Sequence, residues 1–490
     1  MKRALEIMRR KGFSVKSNLA EAVKRSWPAL LIMLLAVAAY SSLSILRHRH
    51  FSSGAFDLGI FDQIVWSYSR FEPPFMTMRA NLLNEHALGD HFHPILVSLA
   101  PLYWLTDSVE SLLFAQAFLF ALAVLPIFLF AEKRLGTFAA SLLALSYTIF
   151  WGVQQAVEFD FHEVAFAVPL IAFAIYFIDE KRWGLYFLCA ALLLLTKENL
   201  SITVAFLGIY LVTQRELRHG LITLAASLAW LVLVMGLFMP YFRGGGAYHY
   251  WTYIQFGPDF SSAVKTVVKN PLLVVEVMFS PAAKLRSYWY TFYPFLCLVF
   301  LSPLFIVMIP LLAERFLSGQ PNYWSMSYHY SAVISPVLIM AAADGLIRLI
   351  RLARMERLKS AIAVACGMVI LLLNLHLLSQ QPLWNLTRAE YWRASQSDRT
   401  GRRALSLIPP DVSVAAQAPI VPHLSHRRHI FLLTYNLVTI PDADYVIACE
   451  QLGVFPYPSF REVREYLDGQ QAKGYRKIFE EDGWIVLERP

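Results

Sequence analysis

Charge is scarce in this chain. Asp, Glu, Lys and Arg supply 16% of its 490 residues, against about a quarter in soluble domains, while 57% are hydrophobic and the mean hydropathy is +0.48. That balance excludes a water-soluble globular protein and indicates an integral membrane protein. Cysteine is scarce too, with Cys189, Cys297 and Cys366 in apolar segments and Cys449 alone near the end, which excludes a disulfide framework. Internal duplication is absent, in contrast to the paired repeats of many transporters. The formal charge of +8 is concentrated in short flanks of apolar runs, as the positive-inside rule expects, so it requires no nucleic acid partner.

What is present is a series of membrane-length apolar runs. The basic segment 1–27 is expected in the cytoplasm, and 28–46 reads as a retained anchor because the basic region before it is long for a signal peptide. Further spans are expected at 112–131, 137–151, 164–178, 221–239, 292–312, 330–347 and 361–378, with the crossings between 241 and 330 left open. The run 95–105 is too short to span and reads as an interfacial helix. Arg348, Arg351, Arg354, Arg357 and Lys359 mark a cytoplasmic turn, which sets 379–490 on the outer, periplasmic side of an inner membrane. There the composition changes to short β-rich runs around one helical pattern at 459–473, the signature of a small soluble α/β domain. The expected plan is therefore a polytopic α-helical membrane module at 28–378, with an external loop at 47–94, and an outer domain at 379–490.

Polar residues cluster in three external segments. The loop 56–94 carries Asp57, Asp62, His91 and His93. Phe61, Ile64, Val65 and Tyr68 form an apolar stripe at helical spacing, with Asp57 on the same face one turn earlier, so this helix is expected to lie flat at a membrane surface. His91 and His93 precede Pro94, which favours extended chain with both rings on one side. The second segment, VEFDFHE, would place Glu158, Asp160 and His162 on one side of an extended strand, and the third, YHY, brings His329. A fourth feature lies inside an apolar stretch. Residues 183–213 have basic flanks at both ends and LTKENLS in the middle, which reads as two short helices meeting at a break that carries Lys197 and Glu198. An ionisable residue at membrane depth costs roughly 2.5–3.5 kcal/mol, so this pair needs a reason. The chemistry available is acid–base work by a carboxylate, phosphate binding by Lys197, and a divalent metal on His and carboxylate ligands, although no spacing matches a compact zinc site. Solvated loops and a neutralised Lys–Glu pair are the bland alternatives.

FDLGIFDQ, DHFHP, DFHE, TKEN, HYSAVISP and VPHLSHR together resemble the membrane proteins grouped as domain-of-unknown-function family 2079. The layout also resembles the C-type glycosyltransferases, which use polyprenyl-phosphate-linked sugars. That resemblance implies a membrane lipid and a polyprenyl-phosphate sugar as partners, with an acceptor on the outer face. It implies Asp57 as general base, with Asp160 and His162 in the catalytic set orienting the donor or a metal. Asp62, His91, His93, Lys197, Glu198 and His329 would bind substrate, with Lys197 on the lipid phosphate. One departure is that many such enzymes carry a tighter acidic pair, whereas Asp57 and Asp62 are five apart and point to different helical faces. A transporter of an envelope precursor and a non-catalytic scaffold remain the rival readings.

Overall fold

The computed structural model describes residues 2–78, 85–245, 248, 250–434 and 440–490, excepting the side chains of 2–25 and Glu85. The basic N-terminal side chains therefore lie outside the described part. Helix Lys2–Arg49 contains the expected anchor, and the apolar part of this helix is followed by the expected long loop. Among the described residues, four helices are long and apolar enough to cross a membrane, at Ser26–Arg49, Glu110–Leu135, Leu217–Arg243 and Glu356–Leu378. A fifth candidate is the pair Thr137–Thr148 and Trp151–Glu158, bent by 42°. The remaining apolar helices are shorter, and Ala167–Asp179, Phe305–Phe316 and Ile334–Leu352 pack among the spans in one large apolar core.

Two expectations need correction. The run 292–312 does not form one span. Leu296 and Cys297 adopt left-handed backbone, with φ of 55° and 53°, and the chain turns through two short 3-10 segments before helix Phe305–Phe316 begins. Pro294 and Pro303, which lack the N–H that a helix interior requires, sit in this stretch. Nor does the first loop helix, Ile60–Ser69, lie flat at a surface. Of its ten residues all but Tyr68 are buried, so it has no solvent face.

The C-terminal region explains that burial. Strands β1 (Val414–Ala416), β2 (Ile430–Leu432), β3 (Tyr445–Cys449), β4 (Arg476–Glu481) and β5 (Trp484–Glu488) form one sheet in the order β2-β1-β3-β5-β4. β2, β1 and β3 are parallel, and β5 and β4 add antiparallel. Alternation along the strands gives the sheet two apolar faces. Ala415, Phe431, Val446, Ala448, Ile485 and Leu487 face helix Phe460–Ala472, which starts at a Ser459–Glu462 capping box. Val414, Ala416, Ile430, Ile447, Trp484 and Val486 share a core with Phe51, Leu58 and Ile64 of the first loop and with Leu96 just after it. The edge strand β2 is closed by the same loop, because Thr77 Oγ1 bonds Ile430 O and N at 2.9 and 3.1 Å. The C-terminal unit is thus built onto the loop rather than standing apart from it.

Gly401 marks the tightest point of that junction. A Cβ there would meet Trp484 Cζ2 at 2.4 Å and Phe51 Cε2 at 2.9 Å. Overpacking rigid rings in this way costs roughly 1–3 kcal/mol. Gly401→Ala is therefore expected to lower the thermal midpoint of the purified protein, and Trp484→Phe in the same chain to recover part of the loss. An unchanged midpoint in Gly401→Ala would show that the junction is loose.

Candidate active site

Asp57 sits in a π-helical turn, Ala55–Gly59, that leads into helix Ile60–Ser69. Its side chain is 27% exposed, and its Oδ1 accepts a hydrogen bond from His162 Nε2 at 2.9 Å. Asp57 and Phe61 are one helical turn apart, and the Phe61 ring lies edge-on to both His93 and His162. The His162 ring stacks on His329, with centroids 3.5 Å apart. Burial holds His329 well below the ordinary imidazole value, and His162, Lys197 and His91 add to that effect. With the Nε2 proton of His162 directed to Asp57, the Nδ1 atoms of His93, His162 and His329 remain buried without a partner among the described residues.

The next residue carries the cluster to the break between two apolar helices. Glu163, fully buried, pairs with Lys197 Nζ at 2.7 Å. Burial works against its charge, but Lys197, then His91, His93 and His162, outweigh it and hold the carboxyl down at about 2. Lys197 lies between helices Trp183–Leu194 and Leu200–Thr213, the break expected from LTKENLS. Glu198, one residue on, accepts from His91 Nδ1 at 2.7 Å, Phe92 N at 3.0 Å and Tyr248 O–H at 3.0 Å. His91 stacks on Tyr250, whose hydroxyl donates to Asp90. Burial lowers His93 to about 4, so it is neutral at physiological pH. Asp57, His91, His93, His162, Lys197, Glu198 and His329 therefore meet at one end of the bundle. The opposite end of helix Ala167–Asp179 holds Arg134, Lys133 and Glu180.

Asp160 and Asp62 point elsewhere. Asp160 has left-handed backbone, φ 51°, which breaks the alternation expected for an extended VEFDFHE. Its carboxylate, 1% exposed, pairs with Arg47 and accepts from Gly54 N at 2.7 Å, pinning this loop to the end of the first helix. Gln116 reinforces the turn by accepting from His162 N. Asp62 is wholly buried on the far side of its helix, where Tyr103, Ser425 and His426 donate to it. Glu163 is the residue that the sequence reading missed. Its signal was its place beside His162 in FDFHE, but strict alternation turned it away from the others. Among the described residues no group of three or more His, Cys, Asp and Glu side chains could hold a metal ion.

Residues 47–486 match the family described as predicted membrane protein (DUF2079). The chain belongs to this family. No curated protein matches it. Among solved structures, this DUF2079 protein is similar to ArnT from Cupriavidus metallidurans bound to undecaprenyl phosphate, at 13% identity and a TM-score of 0.52, over 94% of this chain and 98% of that one. The apo state of ArnT matches at 12% identity, also with a TM-score of 0.52, over 94% and 97%. The archaeal oligosaccharyltransferase AglB from Archaeoglobus fulgidus, in complex with an inhibitory peptide and a dolichol-phosphate, matches at 14% identity and a TM-score of 0.43, over 83% and 64%. The DUF2079 chain thus shares its fold with ArnT, and in this chain a helical bundle carries a small sheet-containing unit at its C-terminal end.

Asp62 also generates a pH dependence. His426 lies between Asp62 at 3.1 Å and Asp107 at 2.8 Å, with the Trp66 and Tyr103 rings against it. Burial opposes its charge, but the two carboxylates outweigh burial and raise its pKa. A raised folded value means that the stabilisation is complete below the unfolded pKa of about 6.5 and disappears as pH rises through the folded value. The gap in thermal midpoint between the native protein and His426→Gln should be widest near about pH 6 and close at alkaline pH. A gap that widens as pH rises would contradict this assignment.

Proposed function

We propose that this protein transfers a sugar from a polyprenyl-phosphate carrier to an acceptor hydroxyl at the outer face of the membrane. The observation that carries the proposal is the Asp57–His162 pair, partly open to solvent and joined through Glu163 to a lysine at a break in the apolar bundle. Whole-length likeness to the fold of ArnT, which was solved with undecaprenyl phosphate, supports the same reading. In this mechanism the Asp57 carboxylate takes the proton of the acceptor hydroxyl. The freed oxygen attacks the anomeric carbon, the bond from that carbon to the phosphate oxygen breaks, and the configuration inverts. His162 fixes the Asp57 rotamer through Oδ1, leaving Oδ2 for the acceptor proton. Lys197, aimed by Glu163, meets the charge on the departing polyprenyl phosphate. His91, braced by Glu198, would bind donor hydroxyl or phosphate oxygens. Asp160 serves this site by fixing the turn that presents His162.

General-base catalysis contributes about 10²–10⁴-fold. Asp57→Asn keeps size and removes the base, so it should cut turnover with a polyprenyl-phosphate sugar by that order while the protein remains folded. Asp62→Asn should instead lower stability, because it disturbs a buried hydrogen-bonded carboxylate without touching the reacting groups. Full turnover in Asp57→Asn would refute the mechanism.

A further inference from the structure

The chain from 252 to 279 stays at the end of the bundle that carries Lys197. Span Leu217–Arg243 arrives there, with Arg243 donating to Gly89 O at 2.7 Å beside the His91 loop. Beyond it, Gly319 N donates to Thr252 O at 2.9 Å and the Tyr253 hydroxyl to Glu314 O at 3.2 Å. Glu314 in turn accepts from Asn199, two residues past Lys197. Two helices follow this root. Phe260–Lys269 starts at Asp259, whose carboxylate accepts from Ser262 N at 2.8 Å, and stops where Asn270 precedes Pro271. Leu272–Phe279 comes next. At ten and eight residues, both fall well short of the roughly 20 that a crossing requires, and neither has a buried residue.

The exposed surface of Phe260–Lys269 is split along its length. Phe260, Val264 and Val268 recur every four residues in one row, and Ser261, Lys265 and Lys269 form the row beside it. The opposite side, Ser262, Ala263, Thr266 and Val267, is partly buried. Phe260 is 74% exposed, Val268 77% and Leu272 76%, and exposed Val275 and Phe279 extend the apolar row along the second helix. Six apolar side chains in line do not suit a face turned to water. Two lysines beside them do not suit a face sunk in hydrocarbon. A boundary between hydrocarbon and phosphate-bearing headgroups satisfies both rows at once. The charge is of the matching sign, since the two helices carry Lys265, Lys269 and a single acid, Glu276. The apolar flank of span Leu217–Arg243 reaches the same end of the bundle, with Val232, Leu233 and Leu237 exposed and Tyr241 exposed near its end, where aromatic rings favour the membrane interface.

We propose that residues 260–279 form an in-plane anchor seated on a phospholipid leaflet, with the apolar row at the hydrocarbon boundary and Lys265 and Lys269 on headgroup phosphates. Through Glu314 and Asn199, this seat sets the depth of the Lys197 break relative to that leaflet. It does not depend on sugar transfer. The test is electron paramagnetic resonance of the full chain in nanodiscs containing anionic phospholipid. Cys297→Ser and Cys366→Ser remove the native thiols that are not buried. A spin label is then attached through Ser261→Cys, Val264→Cys or Val268→Cys, one at a time. These side chains are exposed, so the labels disturb no packing. Molecular oxygen concentrates in hydrocarbon and a nickel chelate in water. Labels at 264 and 268 should collide more with oxygen and the label at 261 more with nickel. Lys265→Glu combined with Lys269→Glu should shift the label at 268 toward nickel. The proposal is overturned if 264 and 268 meet nickel as freely as 261 does, as a water-facing loop would. It is equally overturned if both are shielded from both reagents, as a covering protein surface would shield them, or if the double lysine variant leaves 268 unchanged.

Discussion

Helix Ile60–Ser69 carries a carboxylate and an amide into a fully buried setting, and the arrangement around it follows from satisfying them. Asp62 accepts from Tyr103, Ser425 and His426, and Gln63 donates to Thr77 and to the backbone oxygen of Arg427. An unpaired buried carboxylate is costly, so the helix can be buried on this side only when the C-terminal unit is docked. Docking then packs the opposite face, with Asp57 and Phe61, against the histidine loops. The polar contacts that fasten the C-terminal unit thereby also turn Asp57 toward His162.

The site obeys the same rule. Lys197 would be expensive in an apolar bundle, and Glu163 offsets it. Glu198 is stabilised as a carboxylate by hydrogen bonds from His91, Phe92 and Tyr248. Imidazoles supply the rest of the polarity without needing charge, since burial keeps His93 and His329 neutral. A site built this way offers hydrogen bonds and one anchored cation in a low-dielectric setting, where such groups act most strongly.

Much of this was legible in the sequence where one residue type sufficed. A lysine and a glutamate inside an apolar run announced the helix break, and Asp57 at the head of an apolar stripe announced an aimed acid. β-rich runs near 412, 430, 445 and 484 located four strands of the sheet, while Arg476–Glu481, mostly exposed and charged, had no apolar pattern to reveal it. The failures came from backbone turns that side-chain type does not encode. A left-handed Asp160 rotated FDFHE and hid Glu163, and left-handed Leu296 and Cys297 cut an apolar run that read as one span. Asp62 looked like a site residue because its partners, Ser425 and His426, lie more than 360 residues along the chain.

The central claim is that the loops at one end of the bundle form a lipid-phosphate site served by Asp57 and Lys197. The most direct test is a cryo-electron microscopy structure of the protein incubated with a polyprenyl phosphate. The account predicts phosphate density within hydrogen-bonding reach of Lys197, on the side of the cluster that carries Asp57 and His162. Phosphate density at the opposite end of the bundle, near Arg134 and Asp179, or on the far side of helix Ile60–Ser69, would contradict it.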